Sequence, residues 1–319
     1  HRDLHSFPTR RSSDLFIVKL FVMKIKKEDL HQNLCNICPR KCNVDRTKSM
    51  GFCKQSNKVK ISKIMLHHFE EPCISGNEKG NGSGAIFFAG CNLRCVFCQN
   101  YQISHLGKGK DISIKALANI FKKLEKQGAY NINLVTPTHF TNQIIEALKI
   151  YKPNIPVVWN SGGYETVETI KRLEGLVDVY LVDLKYSSNE LALKYSKAKD
   201  YVENNQEVIK EMIRQQPKNV FENGLLKNGV IIRHLILPTH TDDSLKCLDF
   251  VYKNFGKDCI VSLMSQYEPQ YKANEYPEIN RKITPLEYKR VVNHALKLGM
   301  MNCYTQELSS ADSKYTPKF

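Results

Sequence analysis

The chain has 319 residues, 42% of them hydrophobic, enough to bury one full core plus a small appendage, which excludes a disordered or fibrous protein. A formal charge of +15 suits acidic partners or anionic cofactors, but much of it is lysine scattered over helical patterns, as at Lys122, Lys123 and Lys126, so a solvated surface accounts for it and nucleic acid is not the expected partner. Eleven cysteines, eight of them between Cys35 and Cys98, argue against a disulfide framework and for metal-holding thiolates in a reducing compartment.

The first residues read as foreign. Residues 6–15, SFPTRRSSDL, match a sequencing adapter translated in one frame, so residues 1–22 are expected to be an artefactual extension and the natural start to lie at or near Met23. The apolar run over residues 15–23 is too short to span a bilayer, contains Lys19 and lacks a small-residue cleavage site. A cytoplasmic protein with no membrane partner is expected. Residues 23–80 read as a cysteine-rich, metal-binding segment poor in periodicity, ending in the loop-like GNEKGNGSG of residues 76–84.

Beyond that loop, apolar runs alternate with amphipathic segments. Strands are expected over residues 85–89, 131–135, 157–159, 177–184, 229–237 and 259–264, with a short last one in 301–306. Helices are expected over 111–127, where Leu117, Ile120, Phe121 and Leu124 share a stripe, then over 141–150, 166–173, 189–214 as one or two, 242–253 and 285–298. Six strand–helix units in series predict a parallel sheet, because each crossover helix returns the chain to the same end. They are too few to close an eight-fold barrel. The expected fold is therefore α/β, a partial (βα)6 TIM-like barrel over residues 81–306, with the small cysteine-rich segment before it and a tail over 307–319 after it. A doubly wound open sheet is the alternative. Either fold places the ligand site at the carboxyl ends of the strands.

Residues 90–101 read GCNLRCVFCQNY, and Cys91, Cys95 and Cys98 form C-x3-C-x2-C directly after the first of these strands. Three thiolates on one short loop can wrap a four-iron cube and leave one iron without a protein ligand. Polar residues recur at later strand ends: residues 136–139 (TPTH), 160–164 (NSGGY), 183–185 (DLK), Arg233 and His234, then 265–267 (SQY). A zwitterionic cofactor needs such groups, with donors such as Lys185 and Asn160 for carboxylate and hydroxyls and acceptors such as Asp183 for ammonium and sulfonium.

This loop resembles the C-x3-C-x-aromatic-C signature of the radical S-adenosylmethionine (SAM) superfamily, with Phe97 in the aromatic position. The resemblance implies a [4Fe–4S] cluster on Cys91, Cys95 and Cys98, SAM on the open iron, and adenine against the backbone around Phe97. The strand-end pattern looks like the activating enzymes of glycyl-radical enzymes, such as pyruvate formate-lyase activase. That likeness implies SAM contacts from Asn160, Ser161 and Gly162 and from Asp183 and Lys185; Gln266 is expected at the cofactor as a polar strand-end residue. The activases' Gly-Gly-Glu after the second strand is missing, and Thr138 stands in for its contact with the methionyl amino group. His139, at the same strand end, is a further candidate. The segments CPRKCNVDR, EEPCISG, GCNLRCVFCQNYQIS, NLVTPTHF, RHLILP and SLMSQYEP are similar to a subgroup of activase-related proteins with an N-terminal cysteine quartet. The activase likeness implies an oxidoreductase that cleaves SAM to a 5′-deoxyadenosyl radical. Its partners would be an electron donor such as a flavodoxin or ferredoxin and a glycyl-radical enzyme as protein substrate; a small molecule or another peptide is the alternative.

Cys35, Cys38, Cys42 and Cys53, spaced C-x2-C-x3-C-x10-C, suit a tetrahedral zinc or a second iron–sulfur cluster, with Gly51 providing the turn before Cys53. Cys73, Cys247, Cys259 and Cys303 read as core residues, and His67, His68 and His240 as surface residues or caps. A competing reading from another class is a cysteine-rich zinc protein that binds nucleic acid; it predicts basic residues interleaved with aromatics.

Overall fold

Six buried runs line up as parallel strands in the order in which the chain meets them: β2 (Ser83–Phe88), β4 (Ile132–Val135), β5 (Val157–Ser161), β6 (Val179–Asp183), β8 (Leu225–Leu235) and β9 (Ile260–Met264). The short β10 (Cys303–Thr305) adds to β9, again parallel. At the other edge β1 (Val59–His67) runs antiparallel to β2, with β3 (Lys110–Ile112) outside it, and β7 (Val220–Glu222) forms a hairpin with β8. The computed structural model describes residues 34–77, 79–311, 317 and 319. The adapter-like stretch and the expected start at Met23 lie outside them.

The strand order settles the topology. A doubly wound sheet starts in its middle and reverses direction there. Here every parallel strand adds on the same side of the last, so right-handed crossovers put the helices on one face. β10 and β3 stay at opposite edges without pairing, and the result is an open, partial TIM-like barrel. The crossovers carry α3 (Ile114–Lys126), α4 (Thr141–Ile150), α5 (Val167–Lys171), α6 (Asn189–Ser196), α7 (Tyr201–Gln215), α8 (Thr241–Phe255) and α9 (Pro285–Lys297); α1 (Pro72–Ser75) and α2 (Tyr101–Ser104) are single turns. Local chemistry sets several starts. Ser113 caps α3 through Ala116 N–H, and Thr284 and Glu287 form a capping box around Pro285 at α9.

Period-two alternation divides each strand between two cores. Trp159, Tyr180, Val182, Ile232, Val261 and Leu263 face the helices. Val158, Val179, Leu181, Ile231 and Ile260 face the concave side, where Cys73 and Ile74 of α1 pack against them. Two residues further along, the same concave row turns polar: Val158 gives way to Asn160, Leu181 to Asp183, Ile231 to Arg233. Apolar residues thus fill the barrel floor and polar ones crown its carboxyl end.

β1 carries no clear alternation in its sequence, and the register shift between Ile61 and Lys63 explains why. A bulge moves every later side chain to the other face, which breaks a period-two pattern mid-strand. Because β1 pairs with β2, the sheet draws on chain from both sides of residue 80. The segment after residue 306 also contributes beyond a tail: Ser310 and Pro317 reach the carboxyl-end cavity, and Phe319 packs edge-on to Phe87 at 5.4 Å.

Candidate active site

A cavity of about 260 Å³ opens at the carboxyl ends of the parallel strands. Phe97 and the triad cysteines line it from the loop after β2, and Asn160, Ser161, Gly162, Asp183, Lys185 and Gln266 from later strand ends. The structure thus gathers into one space every residue expected at the cofactor except Thr138. A larger cavity of about 790 Å³ lies at the opposite ends of β8 and β9, far from this set, beside Cys259 and Cys303.

The polar crown is a single network. The Arg233 guanidinium donates to Asp183 Oδ1 at 2.8 Å, to Asn160 Oδ1 at 2.7 Å and to Glu70 Oε2 at 3.2 Å. Lys185 Nζ donates to Asp183 Oδ2 at 2.6 Å, and Asn160 Nδ2 to Glu70 Oε1 at 3.1 Å. Burial works against charge on Asp183, yet Arg233 and Lys185 together hold it below the usual carboxylate range. Burial likewise works against Lys185, and the Asp183 carboxylate still lifts it above the ordinary lysine value. Burial raises Glu71, which sits beneath the network. Glu70 was missed by sequence reasoning, although the acidic pair before Pro72 was a signal in plain view.

Several expectations need correction. Thr138 is off the cavity lining: it is buried, and its hydroxyl donates to Glu165 Oε1 at 2.5 Å. The backbone explains the exchange, since Thr136 takes a left-handed conformation, φ 59°, and presents itself to the cavity instead. His139 is also buried and out of the cavity. Its Nε2 meets the Ala89 carbonyl at 2.7 Å, backing the last turn before the cysteine loop, and burial pushes its pKa down to about 3. His67 is neither on the surface nor a cap: it lines the cavity with Phe69, and burial lowers it to about 4. His240 does stand at the N-cap of α8.

The loop that carries the triad is seated by two glycines. Gly90 has φ +82°, and a Cβ there would lie 2.6 Å from the Cys53 carbonyl oxygen. A Cβ on Gly162 would lie 2.9 Å from Leu93 Cδ1. Each thiol has a hydrogen-bonding neighbour: Leu93 N–H points at Cys91 Sγ at 3.3 Å, Ser196 Oγ lies 3.0 Å from Cys95 Sγ, and Ser104 Oγ 3.2 Å from Cys98 Sγ.

Comparison with known proteins adds the decisive observation. A family model described as the radical SAM superfamily matches residues 85–251, more than half of the chain. The uncharacterized protein MJ0674 of Methanocaldococcus jannaschii is 37% identical over 302 residues, covering 90% of this chain and 82% of the relative. The chain belongs to the radical SAM superfamily. A second relative from that organism, MJ0808, is 22% identical over 317 residues, covering 92% of this chain and 87% of its own. Among solved structures, HydG, a maturase of the [FeFe]-hydrogenase, aligns with a TM-score of 0.47 at 15% identity over 67% of this chain and 48% of its own. SuiB of Streptococcus suis bound to S-adenosylmethionine aligns at 0.49 and 14% identity over 69% and 49%. The chain spans about half the length of these solved proteins.

Radical SAM enzymes use a [4Fe–4S] cluster and SAM, and the residues present fit the cluster in donor type and number. Three thiols share one loop and one cavity. Burial, and then the neighbouring thiols, push Cys91 up to about 12 and Cys98 up to about 11, with Lys185 drawing Cys98 the other way. Among the described residues, no three His, Cys, Asp or Glu side chains already stand in a metal ion's coordination positions. The fit is therefore one of donor type, number and common loop. Membership of this family also decides for an enzyme over a zinc-bearing nucleic-acid binder. No helix among the described residues is long and apolar enough to cross a membrane.

Proposed function

We propose that this chain cleaves SAM reductively at the carboxyl end of its barrel and abstracts hydrogen from a glycyl-radical enzyme. One observation carries the first half: Cys91, Cys95 and Cys98 line the same cavity as the charged strand-end network. When bound, the cluster supplies the electron that breaks the sulfur–carbon bond of SAM, leaving methionine and a 5′-deoxyadenosyl radical.

The chain's own residues bind, orient and shield. Cys91, Cys95 and Cys98 would hold the cluster, and the backbone beside Phe97 the adenine. Asn160, Ser161, Gly162 and Gln266 frame the space for the nucleoside, and Thr136 takes the place assigned by sequence to Thr138. Asp183 would receive the ammonium and sulfonium charge. Its ion pairs with Arg233 and Lys185 hold it ionised and oriented before the cofactor arrives, so little reorganisation is left for the reaction. Phe97 and Tyr267, edge to face at 5.6 Å, wall one side against water.

The activase resemblance supports a glycine Cα on a partner protein as hydrogen donor. A flavodoxin or ferredoxin would supply the electron in the cytoplasm. The test uses protein purified without oxygen and reduced chemically. The wild type should turn SAM into 5′-deoxyadenosine and methionine, and Cys95→Ala should not; cleavage at the wild-type rate by that variant would overturn the reading. Mixing the reduced protein and SAM with a glycyl-radical enzyme should then give the doublet of a glycyl radical by electron paramagnetic resonance. Its absence, with SAM still cleaved, would move the acceptor to a small molecule or another peptide.

A further inference from the structure

The N-terminal quartet lies outside the cavity, and no step above uses it. Its four cysteines are nevertheless folded into one place. The chain doubles back on itself: Cys35 N–H donates to the Val44 carbonyl and Asn43 N–H to the Cys35 carbonyl, both at 3.0 Å, and Leu34 bridges Asp45. Cys42 and Cys53 meet across Gly51, where a Cβ would lie 3.5 Å from one Sγ and 3.6 Å from the other. Phe52 N–H donates to Cys42 Sγ at 3.2 Å, the backbone-amide-to-sulfur contact that stabilises a thiolate. The charges of Cys35 and Cys42 act on Cys38 and on Cys53, and, as at the triad, no three of these thiols already stand in a metal ion's coordination positions. All four are free. Four thiols in a segment with a single bridge and no strand of its own bury little apolar surface, and a metal is the usual way such a segment holds its shape.

The quartet is also pressed against the triad loop. Arg40, between Cys38 and Cys42 in sequence, donates to the Asn92 carbonyl at 2.8 Å and stacks 3.9 Å over Phe52. Cys38 and Cys91 both act on its charge, alongside Tyr164 and Asp200, while Arg94 is the cation that acts on Cys91 from the triad loop itself. Asn92 lies beside both of those thiols, and the Cys53 carbonyl is the atom that only a glycine at position 90 can approach.

We propose that Cys35, Cys38, Cys42 and Cys53 bind a second, tetrathiolate metal centre, zinc or a [4Fe–4S] cluster, and that Arg40 lends its positive charge to this centre and to the triad cluster together. The site stands independently of the triad reading; the shared role of Arg40 rests on it.

The experiment separates the two. The full chain with Cys91, Cys95 and Cys98 all replaced by Ala, purified without oxygen, should retain about one zinc, or about four irons with matching sulfide, per chain by elemental analysis. The iron arm would show charge-transfer absorbance and the zinc arm none. A triad-free chain with wild-type circular dichroism and neither metal, or with Cys42 and Cys53 in a disulfide by mass spectrometry, overturns the site. If the triad-free chain fails to fold, Cys42→Ser in the otherwise natural chain decides instead: metal content should drop by that same amount, and unchanged content overturns the site. For Arg40, the potential is read on the iron–sulfur signal that SAM perturbs. Arg40→Gln should make it more negative, because a nearby cation favours the reduced form, and Arg40→Lys should restore it. An unchanged potential in Arg40→Gln overturns the shared role while leaving the metal site in place.

Discussion

Glu165 is a fully buried carboxyl group. Burial pushes its pKa up to about 7, against the Thr138 hydroxyl that donates to it. A group raised in the folded state contributes its stability at pH values below its unfolded pKa and loses it as pH climbs through the folded one. The window here runs from the ordinary 4.5 to about 7. Glu165→Gln removes that dependence, so the variant should gain on the wild type by on the order of 3 kcal/mol between pH 5 and pH 8, at about 1.4 kcal/mol per pK unit. Urea midpoints at the two pH values check it; parallel curves would place Glu165 in contact with water. Arg233 is the opposite case, a partly buried cation serving Asp183 and Glu70 at once. Arg233→Met leaves Asp183 to Lys185 and Glu70 to Asn160 and Asn133, and losing one charged partner from such a partly buried set costs about 1.5–3 kcal/mol. A loss below about 1 kcal/mol by urea denaturation would mean that the network is solvated.

At the scale of elements, close approach of backbones decides more than propensity. Gly163 has φ +72°, and a Cβ there would fall 2.3 Å from the Asp183 carbonyl oxygen, the end of β6. Gly163→Ala should therefore destabilise by about 3 kcal/mol or more, since neither backbone can retreat without moving a strand end. Gly162→Ala crowds the tip of Leu93 and makes ordinary contact with Lys185 Cε. It should keep most of the stability while disturbing the triad loop, seen as lower iron retention. Equal losses from the two would show that the β5–β6 junction yields more readily than its packing implies. The same scale explains the element that sequence reading passed over. The residues of β1 have strand-forming types, but the bulge after Ile61 changes their facing midway. Helix signals survived better, because Ser113 and Thr284 mark starts without reference to any neighbour.

Across the whole molecule, the cavity couples cofactor binding to stability. A ligand that binds only the folded chain at a hundred times its dissociation constant adds about 2.7 kcal/mol. SAM should therefore raise the melting temperature of the cluster-loaded protein by a few degrees and leave Cys95→Ala unmoved. An equal rise in both would place SAM away from the open iron.

Sequence alone determined what depends on neighbours along the chain: the strand–helix alternation, the count that leaves a barrel open, and the triad with its aromatic at Phe97. Short-range spacing encodes these, so they could be read before any packing was known. Tertiary structure decided what depends on distant residues or on local backbone sign. Glu70 meets Arg233 across 163 residues. Thr136 reaches the cavity in place of Thr138 through one left-handed turn. The quartet settles on the triad loop because Arg40 finds the Asn92 carbonyl. Long-range contacts leave no periodic trace in a sequence, since the chain that closes between them can be of any composition, and only the folded backbone shows which of two neighbouring side chains faces the space they share.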